Sequence, residues 1–129
     1  LCYYHGDGGC GYRYWDITDR HPEVFPRDRL AAGAQCPFKG GMNQLWRNTV
    51  LALAVEDDPD EPYERVHFSV VHHPDNHALK PTMQAFRELV DRNDRFGSFT
   101  SGQVVEAVES TGAAELSNWT TWYKGLYRV

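Results

Sequence analysis

The sequence has no long apolar run, and cysteine and methionine are scarce. Of its 129 residues, only three are cysteines and two are methionines. No apolar stretch reaches the roughly 18 residues that a membrane-spanning helix needs. The first residues also lack the basic and then apolar pattern of a secretory signal. Because 41% of the residues are hydrophobic, we expect a globular chain with a core. Because no long apolar run is present, we do not expect this chain to span a membrane.

An excess of basic residues is also absent. The chain has 13 Lys and Arg against 18 Asp and Glu, which gives a formal net charge of −5. This balance argues against a module that binds nucleic acid through a globally basic surface. A nuclease stays possible, because carboxylates of a metal site lower the net charge while a local basic surface binds phosphate.

The three cysteines cannot all pair within one chain. The cysteines are Cys2, Cys10 and Cys36. Their odd number, together with the missing signal peptide, favours a reducing, cytoplasmic setting. Cys2, His5 and Cys10 are also zinc-ligand types at short spacing, with His21 and Cys36 as more distant additions. A small zinc-stabilised domain is therefore one alternative for this chain.

Complete catalytic motifs are missing from the sequence. No Ser-His-Asp arrangement, Gly-rich phosphate loop or Cys-His signature is present. Asp60 followed by Glu64 resembles a PD…ExK pattern, but Val66 stands where the Lys belongs, so we interpret this segment as a solvated acidic turn. A second acidic group without a suitably placed Lys consists of Asp16, Asp19 and Glu23. Three loop histidines, also interpreted as solvated, are His72, His73 and His77.

Hydrophobic periodicity predicts the order helix, strand, helix, short strand, helix, helix. Apolar residues at helical spacing predict the first helix from Met42 to Val55. Alternation of apolar and polar residues predicts a strand within 64–72. Further helices are predicted over 80–93, from about 101 to 111 and over 114–127, with an extended piece at 95–100. Before the first helix we expect irregular chain, with a short strand at 12–18 and a helical turn at 28–34.

The helix from Met42 to Val55 has a polar face opposite its apolar stripe. Gln44, Arg47 and Asn48 stand at positions i, i+3 and i+4, so they gather on one side of the helix. Their amide and guanidinium groups can hydrogen-bond phosphate or a carboxylate. These three residues are the predicted site, and a solvated polar surface is the alternative.

Five short motifs stand out in the chain: QC at 35–36, NQLWRN at 43–48, HHPDN at 72–76, FT at 99–100 and WYKGLY at 122–127. Together they resemble the C-terminal half of a PD-(D/E)xK nuclease, in particular the bacterial restriction-endonuclease-like proteins of that superfamily. The resemblance covers about residues 35–129. It depends mainly on the spacing of Gln44, Arg47 and Asn48.

The resemblance implies an α/β (α+β) fold with a partial restriction-endonuclease-like core. Residues 35–129 would form its C-terminal half, in the order helix-strand-helix-strand-helix-helix, and residues 1–34 would be an irregular segment rich in Gly and Tyr. The N-terminal strands of the core, with their metal-binding Asp and Glu-x-Lys, would be missing. We expect them upstream of residue 1, because the chain begins with Leu rather than Met.

The same resemblance implies a function for the parent protein. It would be a Mg²⁺-dependent endonuclease that hydrolyses phosphodiester bonds of DNA, in restriction or defence, and this chain alone would be inactive. Gln44 and Arg47 would face the metal site and the scissile phosphate, and Asn48 would hold the local backbone or a neighbouring group.

A non-catalytic interaction domain with a degenerate nuclease fold is the main alternative. Aromatic residues near the end of the chain would then form a protein-binding surface. They are Trp119, Trp122, Tyr123 and Tyr127. If this alternative fails, the same aromatic residues are interpreted as core.

Overall fold

Helices dominate the part of the chain that the structure, a computed structural model, describes: residues 13–31, 36–90 and 94–129. Within these ranges there are six α-helices and two strands. The elements are α1 (Tyr14–Arg20), α2 (Arg27–Ala31), α3 (Met42–Glu56), β1 (Phe68–His72), α4 (Leu79–Leu89), β2 (Phe96–Thr100), α5 (Ser101–Ser110) and α6 (Ser117–Tyr127). A short 3-10 turn, Ala114–Leu116, precedes α6.

The two strands pair in a parallel sheet. Parallel strands need a crossover connection, and α4 supplies it between β1 and β2. At the start of the sheet, the backbone N–H of Phe68 donates to the carbonyl oxygen of Arg95 at 3.2 Å. The architecture is therefore mixed helix and parallel strand, which confirms the predicted α/β class and the predicted order of elements from α3 onwards.

The described residues belong to two compact units. The first unit comprises the described residues within 1–68 and 81–97, and the second comprises residues 69–80 and 98–129. Aromatic rings dominate the core of the first unit: Phe38 stacks on Trp46 at 4.6 Å, and Phe86 meets Phe96 edge-on at 5.1 Å. Its other buried apolar residues are Val24, Phe25, Leu45, Val50, Ala52, Leu53, Met83 and Val90.

In the second unit, α5 begins at a capping box and packs on α6. The hydroxyl of Thr100 accepts from the backbone N–H of Gln103, and the Gln103 side chain accepts from the backbone N–H of Thr100. After α5, Gly112 adopts a φ of +67°, a conformation that favours glycine. These local signals agree with the predicted start and end of this helix.

The strand predicted at 12–18 is wrong, because α1 spans Tyr14–Arg20. Tyr, Trp, Ile and Thr favour strands locally, but here tertiary contacts decide. In the helix, Trp15 lies 5.1 Å from Trp46, and the Thr18 hydroxyl donates to the carbonyl oxygen of Tyr14 at 2.8 Å. Burial of one face of α1 thus outweighs its strand propensity.

Smaller differences concern the ends of elements. The strand predicted within 64–72 starts only at Phe68, and the helix predicted over 80–93 spans Leu79–Leu89. The helical turn predicted at 28–34 is α2, Arg27–Ala31. The end of that predicted turn and Gln35 of the QC motif lie outside the described residues. Among the helices that the structure describes, none is long and apolar enough to cross a membrane.

Candidate functional site

Helix α3 separates a buried face from a polar face, as its periodicity predicts. Its buried residues are Leu45, Trp46, Thr49, Val50, Ala52 and Leu53. On the other side, Gln44 is exposed, whereas Arg47 and Asn48 are half-buried. The three predicted site residues therefore share one side of the helix but differ in how far they project into solvent.

Trp46 anchors α3 to α1. Its side chain is fully buried, and its indole N–H donates to the hydroxyl oxygen of Thr18 at 2.9 Å. The Thr18 hydroxyl in turn donates to the backbone carbonyl of Tyr14, so one buried residue connects both helices. This chain of hydrogen bonds fixes α1 along α3 and places Tyr14 beside Arg47.

Tyr14 holds the guanidinium of Arg47 in two ways. Nε of Arg47 donates to the Tyr14 hydroxyl oxygen at 3.1 Å, and the guanidinium carbon lies 5.3 Å from the centre of the tyrosine ring. The second contact is a cation–π interaction, which favours the charged group over the ring face. The Tyr14 ring itself packs against Trp46 at 5.6 Å. Arg47 is therefore held in place before any ligand arrives.

The side chain of Gln44 forms a hydrogen bond with the side chain of Asn48. Its amide nitrogen donates to the side-chain oxygen of Asn48 at 3.0 Å. With its oxygen engaged in this way, Asn48 offers its amide N–H groups as donors. Gln44 thereby orients the amide of Asn48.

Arg47 and Asn48 line a pocket of about 170 Å³ between α1 and α3. The polar part of its wall also contains Arg13 and Tyr14, and Gln44 is not among the lining residues. The apolar part consists of Ile17, Val50, Leu51 and Ala54. The pocket thus combines guanidinium and amide donors with an apolar wall. Two of the three predicted site residues meet there.

Comparison with known proteins assigns the chain to a family. A sequence model described as the PD-(D/E)XK nuclease superfamily matches residues 16–121, which is most of the chain. The chain belongs to the PD-(D/E)XK nuclease superfamily. Neither the curated proteins nor the solved structures contain a match.

Membership in the nuclease superfamily confirms the predicted resemblance. It also implies a nucleic-acid substrate in general terms. The matched region begins within α1 and includes the whole of α3, so it covers both helices that form the pocket. The boundary at residue 34 between an irregular segment and a nuclease-like domain stays a prediction.

Nucleases of this superfamily generally use divalent metals. Within residues 13–31, 36–90 and 94–129, no three His, Cys, Asp or Glu side chains come together in a way that could hold a metal ion. A Mg²⁺ site normally needs converging oxygen donors. The described part of this nuclease-superfamily chain therefore does not fit such a site.

The acidic residues considered from the sequence do not form a metal-holding group among the described residues, and each either contacts a different partner or is exposed. The carboxylate of Asp16 accepts from Nε of Arg13 at 2.7 Å, and that of Glu23 lies 3.0 Å from Nδ1 of His21. Asp60 is exposed, and its backbone N–H donates to the carboxylate of Asp58, which makes a local turn. Like Asp60, Asp19 and Glu64 are exposed. The interpretation of the Asp60 segment as a solvated turn agrees with this geometry.

The histidines after β1 bind neighbouring groups individually. Nδ1 of His72 donates to the carbonyl of His73, and Nε2 of His73 donates to the carbonyl of Tyr127 at 2.8 Å. Lys80 lies 3.4 Å from Nδ1 of His77. These contacts hold the loop that follows β1 against other residues of the second unit.

The zinc alternative depends largely on residues outside the described ranges. Cys2, His5 and Cys10 lie there. Cys36 is disulfide-bonded, so its sulfur is not available as a thiolate ligand.

Glu56, the last residue of α3, forms an ion pair with Arg95 that the sequence did not predict. The guanidinium of Arg95 contacts both carboxylate oxygens of Glu56, with 2.8 Å between Nη2 and Oε1. Oε2 of Glu56 also accepts the backbone N–H of Val66 at 2.9 Å. The Arg95 hydrogen bond lowers the pKa of Glu56 below its usual value, and the Val66 hydrogen bond acts in the same direction. Local sequence patterns carry no signal for partners so far apart in the chain.

Proposed function

We propose that this member of the nuclease superfamily acts in a Mg²⁺-dependent endonuclease that hydrolyses phosphodiester bonds of DNA, in bacterial restriction or defence. The observation that supports the proposal is the guanidinium of Arg47, which Tyr14 holds and which lines a pocket together with it. A fixed guanidinium suits phosphate because it is planar, permanently charged and able to donate two parallel hydrogen bonds. Preorganisation also lowers the entropy lost on binding.

The three predicted site residues have distinct roles in this proposal. Arg47 binds a phosphate oxygen of the DNA backbone. Asn48 donates from its amide to the same ligand, and Gln44 keeps that amide in the donating orientation through its 3.0 Å hydrogen bond. The negative net charge does not contradict this assignment, because phosphate binding needs only a local cationic surface.

The dependence on Mg²⁺ is inferred from the superfamily and not from this geometry. We expect the metal ligands among residues other than the described ones. The cytoplasmic location also stays a prediction, and the disulfide at Cys36 does not support it.

Fluorescence anisotropy with labelled duplex DNA at fixed salt tests the proposal, because phosphate contacts depend on salt. Arg47→Ala should weaken binding by about tenfold or more, as expected for the loss of hydrogen bonds to a charged group. Arg27→Ala is the matched control, since Arg27 is an exposed arginine of the same unit on α2. We expect this control to stay close to the unchanged protein. Equal effects of the two substitutions would contradict the proposed role of Arg47.

A second candidate function is supported by the exposed aromatic face of α6. Trp122 is 59% exposed and Tyr127 46%, while Tyr123 packs between Trp119 and Tyr127 at 5.1 and 4.5 Å. Exposed aromatic clusters are typical of protein-binding surfaces. The same titration discriminates the two candidates: a folded chain that binds no DNA would favour the interaction domain.

A further inference from the structure

The pocket beside Arg47 contains more apolar surface than phosphate binding requires. Phosphate is recognised by charge and hydrogen bonds alone, and duplex DNA presents its phosphates and sugars outward while its bases stay stacked inside. Yet half of the pocket's lining residues are aliphatic: Ile17, Val50, Leu51 and Ala54. This wall begins directly beside Arg47 and Asn48 on α3.

Leu51 is the clearest sign of an apolar ligand group. It is 62% exposed, whereas Leu45, Val50 and Leu53 of the same helix are buried. On α3 it follows Asn48 by three residues and Arg47 by four, so all three lie on one side of the helix. A ligand that reaches the guanidinium is therefore beside an aliphatic surface as well.

The size of the pocket limits what it can hold. Its volume of about 170 Å³ is several times the ~30 Å³ share of a water molecule. It is smaller than the roughly 300–1,000 Å³ of sites for drug-sized ligands. A single planar ring system fits this range, whereas a single ion would leave the aliphatic wall without a partner.

Hydrogen-bond donors stand at the polar end of the same pocket. Gln44 engages the side-chain oxygen of Asn48, which leaves the Asn48 amide N–H groups as the donating side. Nucleobases carry carbonyl oxygens and ring nitrogens that accept such hydrogen bonds. The combination of a cation, an amide donor and an aliphatic wall matches a base with its adjacent phosphate.

We propose that this pocket binds one unpaired nucleobase of a DNA strand whose neighbouring phosphate contacts Arg47. The inference rests on the proposed function and deepens it, because it names DNA with an unpaired nucleotide as the preferred substrate class. Arg47 then supplies affinity for any DNA backbone. The aliphatic wall and Asn48 distinguish an unpaired nucleotide from a fully stacked one.

The test compares two labelled probes by anisotropy at fixed salt: a blunt duplex, and the same duplex with one unpaired nucleotide. We expect the second probe to bind about tenfold more tightly, near the lower end of the effect of stacking one base on an aromatic side chain, because the wall here is aliphatic. As a second readout, 2-aminopurine at the unpaired position should change its fluorescence on binding.

Two substitutions address the pocket directly. Leu51→Ser removes part of the aliphatic wall, and Ala54→Leu fills the space; both should reduce the preference for the unpaired nucleotide towards onefold. Leu126→Ser is the matched control, because Leu126 is also an exposed leucine, at 55%, but lies in the second unit. Circular dichroism melts of all variants verify that they fold.

The possible results separate this inference from the function on which it rests. Binding of both probes with equal affinity, weakened by Arg47→Ala, would refute the base pocket and leave the proposed function intact. A preference that survives both Leu51→Ser and Ala54→Leu would also refute the base pocket. A folded chain that binds neither probe would overturn both proposals.

Discussion

Replacing Arg95 by Met should destabilise the first unit through the carboxylate of Glu56. The two side chains are 13% and 16% exposed, and the Arg95 guanidinium contacts both oxygens of Glu56. Methionine keeps much of the aliphatic volume but removes every donor. Glu56 would then keep only the hydrogen bond from the backbone N–H of Val66.

The magnitude follows from the burial of the pair. Removing one partner of a buried ion pair costs about 3–5 kcal/mol. Because both side chains retain some exposure, water screens part of the charge, and we expect a loss of roughly 2 kcal/mol. At roughly 4 °C per kcal/mol for a chain of this size, Tm should fall by about 8 °C.

The pH dependence follows from the lowered pKa of Glu56. A carboxyl group whose pKa is lower in the folded state stabilises the fold above its unfolded pKa, about 4.5 here. That contribution is lost as the pH falls through the folded pKa, which lies below 4.5. Arg95→Met should therefore lower Tm most at neutral pH, and the difference from the unchanged protein should shrink below pH 4.5.

Thermal melts followed by circular dichroism, at pH 7 and at several values below 4.5, test this expectation. Glu56→Gln and the double variant with Arg95→Met complete a double-mutant cycle, which isolates the energy of the pair from other effects. A loss of Tm that is the same at every pH, or a cycle without coupling energy at pH 7, would refute the reasoning.

Two further predictions concern the contacts that hold Arg47. Tyr14→Phe removes the hydroxyl that accepts from Arg47 but keeps the ring, so duplex binding should weaken by about threefold while Tm changes little. Anisotropy and thermal melts measure these two effects, and an unchanged affinity for the duplex would contradict a positioning role of Tyr14. Thr18→Val preserves the shape but deprives the buried Trp46 N–H of its acceptor, which should cost about 1–3 kcal/mol in chemical denaturation. Thr121→Val, at an exposed threonine of α6, is its control and should cost far less.

Sequence periodicity was sufficient wherever one element carries its own signal. The two faces of α3 follow from the spacing of its apolar residues, and the order of elements after it follows from alternating or helical patterns. The helix predicted from about 101 to 111 agrees with α5, because Thr100 and Gly112 act on neighbouring backbone groups at its two ends. Superfamily membership was visible in short motifs between residues 35 and 127, and mainly in the spacing of Gln44, Arg47 and Asn48 on α3.

The candidate site was only half predictable. The sequence placed Gln44, Arg47 and Asn48 on one side of α3, since that depends on helical geometry alone. It did not show that Arg47 is held by Tyr14, or that Gln44 points to Asn48 instead of the pocket. The sequence predicts a strand at residue 14, and a strand there would not give the pocket its second wall.

The sequence by itself thus determined the elements with strong periodicity, the polar face of α3 and the family. Only the tertiary structure decided that residues 14–20 are helical, that the pocket forms between α1 and α3, and that Glu56 pairs with Arg95. The physical reason is the range of the forces involved. Periodicity and capping act between residues a few positions apart, whereas burial against Trp46 and the ion pair join residues about 30 to 40 positions apart. Such contacts leave no local pattern, because their energy exists only once the chain has folded.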